Sequence, residues 1–497
     1  MSHYIAIFHA NLNYAFLHEK DYERVIRASY ETIFDVFREK CPKAKYVFEA
    51  SGYTIEQMAK KTPDVLQKLK DAVASGQCEF MGAPYAHPIL ANMPEEDGRW
   101  SNEFAMRAYD QYLGFRPESA WNPECTWRQY VPRTFRDVGY KYLTLDYESY
   151  MTSTHPEYGI IERNRARDIY WGGHLPEYPI DPDSKFLHRP FRDVVPGLGG
   201  LCRSDRLVGK YVSYFLGKIP LEEYLDNVRK WSGSDPKGAT VVIADDAEYT
   251  GTTGYYYVKH YQDYSKSFAE DPTAADKLVR LVNGLMEMGD MITFKEGCEL
   301  EPVEEPFFTE DGFAWHRTYA DCWAGTPEAL RYQSQVAALR YEFKDTVQPK
   351  VEGKEEFNDL VEQFWFHCTN SMNSDACWPP PPGKTCDFNR EWVETELDRT
   401  QAVLAELKKK TAEIPMPTEV PEWKVTNEYY DFWFTEKDLD DVARLNLYEL
   451  QHALYAAWRE FDAQERDPDG SGQRKIDAIF AEYDRRGITG FHRPGID

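Results

Sequence analysis

Thr240-Val-Val-Ile-Ala-Asp-Asp-Ala-Glu-Tyr-Thr-Gly251 carries the clearest indication of how this chain folds. A short apolar run is followed at once by acids and a glycine. That pattern is typical of a buried parallel strand whose C-terminal end opens into a loop. Similar apolar runs alternate with amphipathic stretches up to about residue 300, which predicts repeated βα units and a parallel sheet or barrel.

The other runs of this kind give the predicted strands. Two of the amphipathic stretches between them, 22–39 and 54–74, have the spacing of helices. The predicted strands are Tyr4–Phe8, Lys45–Glu49, Cys78–Met81, Ser119–Trp121, Tyr142–Leu145, Phe186–His188, Val241–Ala244 and Met291–Phe294.

The hydrophobic period changes to 3.6 after about residue 310 and stays there. In one stretch Phe357, Leu360, Phe364 and Trp365 fall on a single helical face. We therefore expect three parts: a catalytic (β/α) barrel over 1–310, a helical region over 311–415, and a C-terminal helical extension over 416–497.

The composition limits the partners and the cellular compartment that this protein can have. The 497 residues carry a formal charge of −26, which argues against nucleic acid or an anionic membrane as a partner. The nine cysteines are odd in number and scattered, as in a reduced compartment. No run of 18 apolar residues occurs, and the N-terminus does not resemble a signal peptide. These features predict a cytoplasmic protein.

Two acids stand out by position. Asp246 ends the run quoted first, and Glu124 ends another in Ser119-Ala-Trp-Asn-Pro-Glu-Cys-Thr-Trp127. In barrel and doubly wound folds the C-terminal ends of the strands form the edge where chemistry takes place. Two acids brought there from distant strands are the minimum that glycoside cleavage requires, because one attacks and the other handles protons.

Three further segments are candidates for a site. His9 closes the first predicted strand, where it could bind a substrate hydroxyl or simply stabilise a loop. Glu79 lies inside an apolar strand, where an acid without a partner is costly. Asp375 and Trp378 lie between an amphipathic helix and four prolines. Taken alone, that last segment also fits a helix end followed by a stiff loop.

In this order the segments resemble the five sequence regions of the family-57 glycoside hydrolases. The first region of that family reads His-x-His or similar, followed by Gln-Pro or Leu-Pro, and here it reads His9-Ala-Asn-Leu-Asn13. The second, Gly-x-x-Glu, is matched by Gly76–Glu79, and the third, Trp-x-x-Glu, by Trp121–Glu124. Asn11 in place of the usual His or Gln departs from the family pattern, and so does Asn13 in place of Pro.

The fourth region, Asp-Asp-x-Glu-x-x-Gly, is matched by Asp245–Gly251, and the fifth, Asp-x-x-Trp, by Asp375 and Trp378. The resemblance covers the chain to about residue 400. It implies an α/β fold, an incomplete (β/α)7 barrel followed by a C-terminal helical region that helps to close the active site. It also implies a cytoplasmic enzyme without a cofactor or a metal, acting on an oligo- or polysaccharide.

The resemblance assigns roles to single residues. Glu124 would be the nucleophile and Asp246 the acid/base of a retaining, amylase-type hydrolase of α-linked glucans. Asp245, with Glu248, would help to hold the proton on Asp246 by like-charge repulsion. The remaining substrate-binding residues would be His9, Asn11 and Glu79 for hydroxyls, Trp121 and Trp378 for sugar rings, and Asp375 at the barrel mouth.

Three alternatives remain. The same carboxylates serve a transglycosylase, such as a 4-α-glucanotransferase or a branching enzyme, if water is excluded from the acceptor side. A non-catalytic carbohydrate-binding relative would be expected to lack one of the two carboxylates. A metal-dependent deacetylase would need a His-x-x-x-His pair, and no two of the 12 histidines have that spacing.

Overall fold

The structure is a computed structural model. It describes residues 2–154, 181–207, 210–233, 240–309, 311–315, 318–320, 327–377, 390–417 and 470–485, together with Trp323 and Ala457.

Nine strands form the main sheet of the described residues. They are Ser2–Ala10 (β1), Tyr46–Ser51 (β2), Cys78–Ala83 (β3), Ser119–Ala120 (β4), Tyr142–Asp146 (β5), Phe191–Val195 (β6), Leu198–Arg203 (β7), Thr240–Asp246 (β8) and Gly289–Met291 (β9). The spatial order is β6-β7-β5-β4-β3-β2-β1-β8, with β9 also paired to β1. Neighbours run parallel except for β6 and β7, which are antiparallel. A separate small hairpin pairs Phe313–Ala314 with Thr318–Tyr319.

The sheet curls into an incomplete barrel with a small apolar core of its own. Strand β1 shows the alternation that produces it: Ile5 and Ile7 face this core, whereas Tyr4 and Phe8 belong to the larger core beneath the helices. Leu201 of β7 and Val242 of β8 meet in the inner core. The predicted α/β fold with an incomplete barrel is therefore confirmed.

Helices cover the outer face of the sheet and connect its strands. Up to residue 310 the α-helices are Tyr22–Val25, Thr32–Glu39, Gly52–Lys61, Pro63–Ala74, Glu95–Tyr112, Val131–Arg136, Tyr147–Thr154, Lys185–His188, Lys210–Phe215, Leu221–Lys230, Glu248–Gly251, Tyr256–Tyr261, Ala274–Met288 and Phe294–Cys298. A π-helical segment, Ile26–Glu31, joins the first two. Short 3₁₀ turns occupy Glu19–Asp21, Leu90–Asn92, Pro123–Cys125 and Tyr264–Lys266.

The predicted helical region after residue 310 is confirmed. Its helices are Pro327–Thr346, Gln348–Val351, Asn358–Asn370 and Arg390–Lys410, with 3₁₀ turns at Glu355–Phe357 and Asp375–Cys377; a further helix lies at Ser471–Arg485. Phe343 and Phe364 stack at 4.2 Å between ring centroids. The buried Arg340 donates to Asp97, on a barrel helix, at 2.7 Å. The boundaries at residues 310 and 415 stay predictions.

Two predicted strands need correction. Phe186–His188 lies in the helical turn Lys185–His188, and the strand predicted over 291–294 ends at Met291. Strands β6 and β7 were not predicted, since Gly199 and Gly200 dilute the apolar run of β7. A Cβ on Gly200 would lie 2.3 Å from the Leu143 carbonyl oxygen, so this strand requires a glycine there.

In the ranges given above, no helix is long and apolar enough to cross a bilayer.

Candidate active site

The C-terminal ends of β1, β2 and β8 bring three polar residues side by side. His9 is in register with Glu49 on one side and with Asp246 on the other. Glu124 follows β4, the strand that pairs with β3 through Ala120. Parallel strands end at the same edge of a sheet, so all four side chains belong to the barrel mouth.

Glu124 is held in an unusual backbone conformation. It and the next residue, Cys125, have φ angles of 54° and 48°, in the left-handed region that non-glycine residues seldom adopt. Hydrogen bonds fix the turn, among them the one from Asn122 Nδ2 to the Thr126 carbonyl at 2.7 Å. Such strain costs about 1–3 kcal/mol per residue and is concentrated at functional sites.

The Glu124 carboxyl is partly exposed and lies among other acids. Burial raises its pKa to about 8, and the negative charges of Asp375 and Asp246 add to that effect. The positive charge of His9 and the nearby indole N–H of Trp315 act in the opposite direction. Glu124 is therefore within electrostatic reach of both other predicted carboxylates.

Trp315 is itself positioned by a buried ion cluster. The Arg203 guanidinium lies 5.5 Å from the Trp315 ring centroid. Arg203 pairs with Asp146 at 2.9 Å and with Asp205 at 2.8 Å, and all three side chains are buried. These ion pairs fix the Arg203 guanidinium against the Trp315 ring. The indole of Trp315 in turn lies near the Glu124 carboxyl.

Asp246 lies between a phenol, a lysine and an imidazole. The Tyr14 hydroxyl donates a hydrogen bond to Asp246 Oδ2. Burial raises the pKa of Asp246, while the charge of His9, the Tyr14 bond and the charge of Lys259 act to lower it. Burial lowers the pKa of Lys259 to about 7, although the negative charge of Asp246 acts to raise it. Burial therefore favours the protonated form of Asp246.

Asp245 requires a correction. Because side chains alternate along β8, Asp245 faces away from Asp246, in register with the outward-facing Phe8. Its carboxylate accepts from the Asp246 backbone N–H at 2.9 Å, and with burial it raises the pKa of Tyr224. Burial, and not Asp245, is the main cause of the raised pKa of Asp246.

Glu248 is fully buried two residues beyond Asp246, at the start of a short helix. It accepts hydrogen bonds from the Asn11 backbone N–H at 2.9 Å and from the Tyr30 hydroxyl in the π-helical segment. Burial, helped by the charge of Asp246, raises the pKa of Glu248 to about 8. Glu248 therefore anchors the loop after β1, and its carboxyl also interacts electrostatically with Asp246.

Asn11 links the barrel to the helical region. Its Nδ2 donates to Asp375 at 2.9 Å, and its Oδ1 accepts from the Asn13 backbone at 3.1 Å. Its side chain is buried and engaged inside the protein. The predicted substrate-binding role of Asn11 stays a prediction.

Asp375 lies beside the loop after β1, and its role as a substrate-binding residue stays a prediction. The Ala15 backbone N–H donates to its Oδ1 at 3.1 Å, and burial raises its pKa to about 7. Neighbouring contacts hold this segment in place: Pro88 and Asn373 form an antiparallel bridge, and the Ser374 N–H donates to the His87 carbonyl at 3.2 Å. Trp378, the other predicted residue of this region, lies outside the described residues.

His9 forms the floor of the site with Glu49 and His87. Its Nδ1 bonds to Glu49 Oε2, and its ring centroid lies 4.9 Å from that of His87 and 5.3 Å from that of Trp121. Burial alone lowers the pKa of His9, but the Glu49 carboxylate outweighs it and raises that pKa to about 10. His9 is therefore an imidazolium in this arrangement, and Trp121 contacts it as part of the inner core.

Glu79 lies elsewhere, so its prediction as a residue of the cleavage subsite is corrected. It is in register with Val47, two residues before Glu49 on β2. Its carboxylate accepts from Ser119 and from the Lys295 backbone N–H at 2.8 Å, at the start of a short helix. These contacts lie toward the N-terminal end of the barrel, where they satisfy the buried acid structurally.

Five residues of the site were not predicted: Tyr14, Glu49, His87, Lys259 and Trp315. Glu49 carried a usable signal, since it is an acid ending an apolar strand, the same feature that drew attention to Glu124 and Asp246. Glu79 has the same parity as Glu49, because its register partner Val47 lies two residues before Glu49, and only its position along the barrel axis separates the two. The others come from loops and helices whose position the sequence does not give.

Comparison with known proteins shows which family the chain belongs to. The sequence model of glycosyl hydrolase family 57 matches residues 1–283, more than half of its length. The chain belongs to this family. The resemblance inferred from the five regions is thereby confirmed.

Two curated relatives are similar to part of this family-57 protein. An α-amylase from Pyrococcus abyssi is 26% identical over 203 residues, 39% of this chain and 28% of that protein. A 4-α-glucanotransferase from Thermococcus litoralis is 25% identical over 202 residues, again 39% of this chain and 28% of the relative. The matched region thus spans less than a third of either relative's length.

Among solved structures, a family-57 branching enzyme from Thermococcus kodakaraensis has the same fold. It superposes with a TM-score of 0.62 at 12% identity, covering 84% of this chain and 92% of that one.

Proposed function

We propose that this protein is a retaining glycosidase acting on α-linked glucans, with Glu124 as nucleophile and Asp246 as acid/base. The observation that carries the proposal is the meeting of these two carboxyls at one edge of the barrel. They come from separate strand ends, both are partly exposed, and the charge of Asp246 is felt at Glu124. Family membership and relatives named α-amylase and 4-α-glucanotransferase support the substrate class.

In the first step Glu124, ionised, attacks the anomeric carbon and displaces the glycosidic oxygen, which takes the proton of Asp246. The product of this step is a β-glycosyl ester of Glu124. In the second step Asp246, now a carboxylate, removes a proton from water or from a sugar hydroxyl. That oxygen attacks the same carbon, releases Glu124 and leaves the α configuration restored.

The surrounding residues influence the ionisation of Glu124 and the orientation of Asp246. His9 is an imidazolium whose positive charge favours the ionised form of Glu124. Tyr14 donates to Asp246 and fixes its orientation. Asp375 opposes ionisation of Glu124 while its own oxygens are held by Asn11 and by the Ala15 backbone. The substrate bond would be placed between Glu124 and Asp246, above His9.

Transfer to a second sugar is the other candidate outcome, since relatives named for hydrolysis and for transfer match at nearly equal identity. Product analysis from a maltooligosaccharide decides between them. Only shorter sugars indicate hydrolysis, and longer ones indicate transfer.

The stereochemical course tests the proposal directly. When the reaction on a maltooligosaccharide is followed by proton NMR, we expect the α-anomer of the new reducing end to appear first and the β-anomer only by mutarotation. A retaining pair of carboxyls about 5–5.5 Å apart gives this result, because inversion at carbon occurs twice. Initial appearance of the β-anomer would exclude a Glu124 ester.

The Asp375→Asn variant tests the electrostatic part of the proposal. Asp375 carries negative charge that raises the pKa of Glu124, so its removal should lower that pKa. Since Glu124 must be ionised to attack, the acidic limb of the kcat/KM profile is expected to move to lower pH. The measurement is kcat/KM against pH for both enzymes. A limb that stays in place or moves to higher pH would contradict the assignment.

We also propose that the protein works in the cytoplasm on a carbohydrate partner alone. The seven cysteines within the described ranges are all free thiols, as a reducing compartment maintains them. The excess of negative charge disfavours nucleic acid as a ligand.

A further inference from the structure

His9, Glu49 and His87 form a compact buried cluster at the floor of the barrel mouth. One ligand atom from each of the three lies within 4.8 Å of the other two. Glu49 is fully buried, His87 is 2% exposed and His9 is 8% exposed. The proposed glycosidase steps use the charge of His9, which Glu49 supports, but neither Glu49 nor His87 acts on the substrate in them.

The hydrogen bonding of this cluster is incomplete. Both ring nitrogens of His87 and the Oε1 atom of Glu49 are buried and have no hydrogen-bond partner among the described protein atoms. A buried polar atom without a hydrogen-bond partner is destabilising, because the hydrogen bonds it made to water are not replaced. Three such atoms in one cluster, beside a His9 nitrogen, indicate that a further group completes it.

We propose that this cluster binds one divalent transition-metal ion of the zinc class. Two imidazole nitrogens and one carboxylate oxygen are the donor set that Zn²⁺ prefers, whereas Ca²⁺ and Mg²⁺ require more oxygens. Ligand atoms about 2.1 Å from a tetrahedral ion lie roughly 3.4 Å from one another. That spacing is well inside the 4.8 Å range of the cluster, so small side-chain shifts suffice.

The charges around the cluster also suit a cation. Metal binding displaces the proton shared by His9 and Glu49, so the ion replaces one positive charge with two. Asp246 and Glu248 both interact electrostatically with His9, and their negative charge balances the additional one. With three protein ligands, one position of a tetrahedral ion is left for water or for an oxygen of the substrate.

Metal binding by the full-length, tag-free protein tests this site independently of glycosidase activity. The protein is dialysed against a chelator and then titrated with Zn²⁺ in competition with a chromophoric chelator. We expect about one ion per chain for the wild type. The variants His87→Ala and Glu49→Gln should bind it at least about tenfold more weakly, since each lacks a ligand. His18→Ala, which removes an exposed histidine, is the matched control and should bind like the wild type.

A second measurement keeps the test decisive if a variant folds poorly. X-ray absorption of the zinc-loaded wild type should show two imidazoles and a carboxylate oxygen around the ion. The proposal is overturned if the wild type binds no zinc under these conditions, if the shell contains no imidazole, or if a folded His87→Ala protein binds zinc as tightly as the wild type.

Discussion

Glu124→Gln is expected to lower kcat on every α-glucan substrate by a factor of at least about 10⁴, the scale seen when a nucleophile is removed from an enzyme. Glutamine keeps the shape of the side chain and an oxygen that can face the Trp315 indole N–H. It lacks the negative charge and the nucleophilicity needed to form the ester. The measurement is release of reducing ends from a maltooligosaccharide under saturating conditions.

The fold should survive this change. The substitution removes a negative charge that Asp375 and Asp246 repel, so the melting temperature is expected to stay constant or rise. Glu118→Gln is a matched control on the same segment, because Glu118 pairs with Lys141 and Lys295 at the surface. It should retain wild-type turnover. Wild-type turnover by Glu124→Gln would remove Glu124 from the mechanism.

Asp246→Ala is the second variant with a large expected effect. On α-glucans, whose leaving groups need a proton, kcat/KM should fall by roughly 10²–10⁴. On an α-glucoside with an acidic leaving group the first step needs little protonation. Only the attack of water on the glycosyl ester then stays slow, so a burst followed by a low steady rate is expected.

Azide distinguishes loss of the acid/base from a general loss of structure. A small anion can enter the space left by the carboxylate and attack the ester without a base, and it should raise the steady rate with formation of an α-glycosyl azide. The wild type and Glu124→Gln provide the controls, since neither should respond. If azide leaves Asp246→Ala unchanged, or yields the β-azide, the acid/base assignment fails. The variant also leaves the Tyr14 hydroxyl without its acceptor, so its stability should be measured alongside.

The fold was largely predictable because its strands carry local signals. Strand β8 has an apolar run of the right length and loop residues at its end, and its bounds were found within two residues. Strand β7 was missed because Gly200 is selected by close approach to β5, a contact between residues far apart in sequence. The antiparallel β6 has two exposed residues and no buried run from which to infer it.

The site was predictable where function depends on a strand end, and less so where it depends on three-dimensional neighbours. Glu124 and Asp246 follow apolar runs, so their place at the barrel mouth follows from the fold alone. Asp245 was misplaced because single-residue parity decides which way an acid faces, and Glu79 because the strand register decides its height along the barrel axis. Tyr14 and Lys259 reach Asp246 through loops and a helix, and no local pattern encodes that approach.

The contacts between Asn11, Asp375 and the Pro88–Asn373 bridge have a consequence for how such proteins can be recombined. The family match ends at residue 283, and a chimera joined there would look complete by sequence. Yet the loop after the first strand and the segment around Asp375 hold each other by side-chain and main-chain hydrogen bonds. These two segments are 364 residues apart in the sequence but depend on each other's hydrogen bonds. A chimera therefore has to take both segments from the same parent protein.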